Sequence, residues 1–280
     1  MDLQRFDNVG GEAIISFLPC ITHGPELDAD RSRWYHHLLV SGERLFQYGA
    51  PCGTCGIVFG KLRSTSDRLD DGQVASLLGT LETIPAPGTL RRLGKILEPG
   101  TYLPVVLEGS VERVSPGDGR DYFSTDAARL FGFEPPEYKE PFDPGTAYYR
   151  FGPAYTLERS GRMGGPHAAL LTSLIMPLHD PEVLSADRVA YWKARSWDGL
   201  PLTALAVSVL DAQAPAMEPA DPDYEWEEHI VFTHCLLDGH HRVQAAAELG
   251  ASLRILSFVA PDASLVLEAE IGPLIAPFRR

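Results

Sequence analysis

The run HIVFTHCLLDGHHRVQAAAELGASLRILSFVA, residues 229–260, constrains the fold more than any other stretch of the chain. Its opening is rich in apolar and β-branched residues, as a buried strand requires. Asp-Gly breaks that run, an alanine-rich segment of good helix formers follows, and Gly250 supplies a helix stop before a second apolar run. The predicted unit is strand, sharp corner, helix, strand. Upstream, LLTSLIMPL reads as a strand and SADRVAYWKARSW as a serine-capped helix. LTALAVSVL reads as another strand, ahead of an acidic, proline-rich loop, DAQAPAMEPADPDYEWEE. Strand, helix, strand, strand, helix, strand over residues 168–280 predicts an α/β unit with its own core.

The first half is more broken. EAIISFLPC and CGIVFGKL are short strand candidates, and LRRLGKILEPGTYLPVVLEG is a helix followed by a strand. STDAARLFG predicts a helix from Ser124 to a stop at Gly132, and GTAYYRFGPAYTL an aromatic-rich strand. RWYHHLL, with His36 and His37, reads as helical. ERSGRMGGPH, residues 158–167, is glycine-rich but lacks the Lys-Ser/Thr ending of a phosphate loop, and reads as a linker. The expectation is an α+β protein with an N-terminal region over 1–160 and a second domain over 168–280.

Composition narrows the function classes. Apolar residues make up 44% and charged residues 22% of the 280, as in soluble globular proteins. With 24 basic and 38 acidic side chains the net charge is −14, which disfavours nucleic acid as a partner but leaves room for a small anion in a local basic pocket. No signal-peptide pattern and no membrane-length apolar run is visible, and four cysteines are too few for a disulfide scaffold, so a cytoplasmic setting is expected.

Two constellations carry chemistry. The first is the corner Asp238-Gly239-His240-His241-Arg242. Gly239 can turn the chain without a Cβ penalty, and the helix beyond it presents free N–H groups and the positive end of its dipole. Arg242 can hold a phosphate through two parallel bonds, His240 and His241 can donate bonds or move protons, and Asp238 is placed to cap the helix or meet a hydrated magnesium ion. The second is PCGTCG, where Cys52 and Cys55 form a Cys-x-x-Cys-Gly knuckle, with Cys20 and His23 in PCITH as a second pair. Two such pairs supply the four ligands of a closed structural zinc site.

LLDGHHRVQAAAELGASLRILSF resembles the signature of the ParB/sulfiredoxin-like superfamily, and the similarity extends back to SLIMPLHDPEVLSADRVAYWKARSWDGLPLTALAVSVLD. The Asp-Gly-His-His-Arg spelling is closest to the free-serine kinase-like branch; sulfiredoxins carry a catalytic cysteine where this chain has His240. The resemblance implies a ParB/sulfiredoxin-like fold for the C-terminal domain, with residues 238–242 holding the phosphates of ATP or ADP with magnesium. It also implies an acidic base acting on the hydroxyl of a small-molecule substrate, for which Glu182 is the first candidate and Asp180 the second. The expected function is a small-molecule kinase, a transferase. The alternatives are a non-catalytic nucleotide sensor with structural zinc and a protein partner, and, less favoured, a DNA-binding ParB-like protein.

Overall fold

The computed structural model describes residues 3–19, 35–50, 56–63, 71–132, 146–160, 165–197, 199, 201–215 and 218–279. In chain order the first half contributes β1 (Phe6–Asn8), β2 (Ile15–Pro19), β3 (Tyr35–Val40), β4 (Glu43–Gly49), β5 (Val58–Lys61), α1 (Asp71–Leu78), α2 (Pro87–Leu93), β6 (Gly100–Val114), α3 (Asp126–Phe131), β7 (Tyr148–Phe151) and β8 (Tyr155–Ser160). The second half contributes β9 (Pro166–Pro177), α4 (Ala186–Trp197), β10 (Leu202–Gln213), β11 (Glu228–Asp238), α5 (His240–Leu249), β12 (Ser252–Val259) and α6 (Glu268–Ile275).

Six strands close on themselves in the order β6–β12–β10–β11–β9–β7 and back to β6, forming a mixed barrel. β10 runs parallel to β12 and β11 parallel to β9, while β10 and β11 are antiparallel. Closure depends on β6, which is long enough to serve two neighbours. Residues 103–110 pair with β12 and residues 111–114 with β7. This mostly β, closed-barrel architecture corrects the α+β, ParB/sulfiredoxin-like expectation. The physical reason is that a strand's hydrophobic period reports its buried faces and not its pairing partner. The element order after residue 166 follows the predicted one, but β6 and β7, from before residue 160, supply two staves of the same barrel.

Side chains alternate strictly between two cores. On β12, Leu253, Ile255 and Val259 join one core with Val243, Ala245 and Ala246 of α5 and Ile271, Leu274 and Ile275 of α6. Leu256 and Phe258 face the other, shared with the antiparallel sheet β2–β3–β4–β5 through Ile15, Leu38, Phe46 and Phe59. Burial on both faces explains why β10 and β11 read as near-continuous apolar runs. A hydrogen-bonded polar cluster lies within the first core. His234 is fully buried, with Nε2 2.9 Å from Ser173 Oγ and Nδ1 2.7 Å from Ser208 Oγ, and the Ser257 hydroxyl donates to Ser208 Oγ at 2.6 Å. Burial pushes this imidazole down to about 3, so it stays neutral and its bonds satisfy a group that would otherwise be costly inside.

Some local expectations also change. RWYHHLL is not helical: His36 and His37 lie on β3, which turns at Ser41-Gly42 into β4. GTAYYRFGPAYTL is two strands, parted where Gly152 adopts φ +70°. The helix expected from Ser124 begins at Asp126, with Thr125 at its N-cap, and ends at Gly132 as expected.

Candidate functional site at the β11–α5 corner

β11 ends at Asp238, and Gly239 makes the turn with φ +98° and ψ +17°, backbone that other residues rarely adopt. A Cβ there would also lie 3.0 Å from the carbonyl oxygen of Thr203 and 3.1 Å from Ala204. Glycine is therefore required twice over, by dihedral and by space. α5 starts at His240 and runs ten residues to a left-handed stop at Gly250.

The corner residues divide by role. The Asp238 carboxylate accepts from Arg242 one turn along, in an ion pair whose side chains are 3% and 4% exposed. The Arg242 guanidinium also lies over the Trp192 ring at 5.1 Å, and its Nε is buried with no hydrogen-bond partner among the described residues. His240 is buried and accepts at Nε2 from the Leu178 backbone N–H at 3.2 Å. Burial, then repulsion from His179, His241, Arg242 and Lys61, holds it far below the ordinary histidine range. In its neutral form it thus clamps the segment after β9. His241 clamps the same segment further on, accepting at Nε2 from the Ser185 N–H at 3.3 Å.

Those two clamps bring the predicted acids to the corner's neighbourhood. Asp180 accepts from Thr146 Oγ1 at 2.8 Å and pairs with Lys61, which reaches over from β5 and is itself only 5% exposed. Glu182 is largely exposed and pairs with Arg113 of β6. His179 packs against His240 with ring centroids 4.6 Å apart. Lys61, Arg113, Thr146 and His179 escaped the sequence reading because they come from four separate places in the chain, and no local motif announces them. Around His240 the structure gathers Lys61, Arg242 and two further histidines, with each of the two permanent cations paired to a carboxylate, Asp180 or Asp238.

The carboxylates here already hold cations. A magnesium ion at this corner would therefore be carried by nucleotide phosphates more than by an all-protein cage. The four residues expected to hold zinc, Cys20, His23, Cys52 and Cys55, lie outside the described residues. Among the described residues no group of three or more His, Cys, Asp or Glu side chains is arranged to hold a metal, and no helix is long and apolar enough to cross a membrane. Comparisons with protein-family profiles, with curated proteins and with solved structures find no match for this chain.

Proposed function

We propose that the protein binds the phosphate group of a nucleotide, ATP or ADP with magnesium, at the start of α5. The observation that carries this reading is an unfilled demand for an anion. The N-cap of α5 is Gly239, which has no side chain to bond the first N–H groups, and the neighbouring Arg242 Nε is buried with no hydrogen-bond partner among the described residues. An unmet buried donor costs about 1–3 kcal/mol, which a phosphate oxygen would relieve. Lys61, though paired with Asp180, is a further permanent cation close enough to His240 to act on it.

Phosphoryl transfer to a small hydroxyl compound is the second reading. It is favoured by one fact: Asp180 and Glu182 ride on the segment that His240 and His241 fasten to the corner. In that reading Glu182 or Asp180 would leave its cation to accept the substrate hydroxyl proton. Structural zinc on Cys20, His23, Cys52 and Cys55, and a protein partner for the acidic surface, belong to the same proposal.

Calorimetric titration with ADP, ATP-magnesium and inorganic phosphate tests the binding. Arg242→Lys and His241→Ala should each weaken it by about tenfold, the worth of one charge-assisted bond. Failure of all three ligands to bind at low-millimolar concentration would refute the reading. Turnover of ATP with a panel of hydroxyl compounds, lost in Glu182→Gln or Asp180→Asn with nucleotide affinity retained, separates the enzyme from the sensor. Metal analysis of untagged protein, expected to show one zinc per chain, tests the knuckle.

A further inference from the structure

At the opposite end of β10 from the corner, a cavity of about 160 Å³ lies between the antiparallel sheet and the barrel. That is the size of cavity that accommodates a benzene-sized guest. Phe17 and His36 form its wall on the sheet side, and Glu98, Tyr102 and Asp262 face them from the start of β6 and from the turn after β12. Its chemistry is one-sided. Among the described residues two of the ten that line it are carboxylates and none is lysine or arginine.

The polar groups are arranged but not consumed. Glu98 Oε1 accepts from the Phe17 N–H at 2.9 Å, which fixes the carboxylate and leaves Oε2. The Tyr102 hydroxyl donates to the Glu98 carbonyl at 3.1 Å, which orients the ring. His36 is 5% exposed and stacked on Tyr48 at 5.4 Å, and among the described residues no hydrogen bond reaches its ring nitrogens. Burial drives His36 down to about 4, with His37 adding to the effect, so it brings no positive charge to offset the acids. Burial also raises Glu98, a cost that a bound cation would reverse. Aromatic faces beside carboxylates form the environment that attracts an organic cation.

We propose that this cavity binds a small organic ammonium compound with about the bulk of one aromatic ring. The ammonium would meet Glu98 and Asp262, its apolar body would lie between Phe17 and Tyr102, and the neutral His36 would accept one N–H. This site is independent of the phosphate reading and stands or falls separately.

Benzylamine, benzyl alcohol and benzoate share a ring and differ in charge, so they isolate the claim. Heteronuclear NMR titration of the full chain should show benzylamine shifting the His36 and Tyr102 signals. Benzyl alcohol should bind at least about tenfold more weakly, and benzoate not at all. Asp262→Asn, at an exposed position, and Glu98→Gln should each weaken benzylamine by about threefold to tenfold. If Glu98→Gln does not fold, Asp262→Asn alone decides. Equal binding of all three compounds, binding of benzoate, benzylamine affinity untouched by Asp262→Asn, or no benzylamine binding to the folded protein would each overturn the proposal.

Discussion

Separating Arg242 from Asp238 should be among the most damaging polar changes available in this protein. Both side chains are almost fully enclosed, at 4% and 3% exposure, so each charge has given up its water in exchange for the other. Removing one partner of such a pair typically costs about 3–5 kcal/mol, because the survivor is left charged in a poor solvent. Asp238 has a further interaction of its own, so the lower half of that range is expected. Loss of the Trp192 contact adds about 0.5–1 kcal/mol to any Arg242 substitution. The appropriate assay is a double-mutant cycle in urea with Arg242→Met and Asp238→Asn, two replacements that nearly preserve volume. Each single variant should lose several kcal/mol, and the double variant much less than their sum, with a coupling energy of at least about 2 kcal/mol. Additive losses, with coupling below about 0.5 kcal/mol, would show that the pair is not what holds the corner.

Three further outcomes follow from the same geometry. Asp211 is buried and its carboxyl is pushed from 3.8 up to about 7, so between those values the folded state holds a proton that the unfolded chain has lost. Its contribution therefore falls as pH rises through that window, by on the order of 4 kcal/mol in all, and Asp211→Asn should be more stable than the parent near pH 8 with the gap closing toward pH 4, as urea melts would show. His229 and His234, both driven to about 3 by burial, act in the opposite sense and lose stability as pH falls, so only the difference between parent and variant is diagnostic. Gly239→Ala should destabilise by at least about 1–2 kcal/mol from the left-handed backbone alone, and a thermal melt indistinguishable from the parent's would contradict the turn geometry. Ser208→Ala strands His234 Nδ1 and the Ser257 hydroxyl, for a loss of about 1–3 kcal/mol in chemical denaturation; a neutral result would mean that water replaces the missing oxygen.

How much of this was legible in the residues depends on how local the cause was. The corner was, because Gly239, the alanines and Gly250 act locally on the strand, turn and helix of residues 229–260. The β3–β4 hairpin was missed although its signal is present. Ser41-Gly42, with φ +52° and +80°, is a two-residue turn flanked by strand-forming residues. α6 was hidden because Pro273 sits inside it, a residue that ordinarily argues against a helix. Barrel closure was not legible at all. Nothing in GTYLPVVLEGSVERV names β12 and β7 as its neighbours, and the Lys61–Asp180 pair and the cavity beside Glu98 inherit that same non-locality.

The pairing of residues 103–110 with 252–259 has a consequence for how the chain is made. The two segments are separated by about half of the 280 residues, so β6 leaves the ribosome long before its barrel neighbour exists. Contacts of that sequence separation fold slowly, because loop-closure entropy must be met before the pairing rewards it. In the interval residues 103–110 are an apolar edge without their β12 partner, open to other nascent chains or to a chaperone. Synthesis, more than equilibrium stability, is the stage at which this architecture is most exposed to failure.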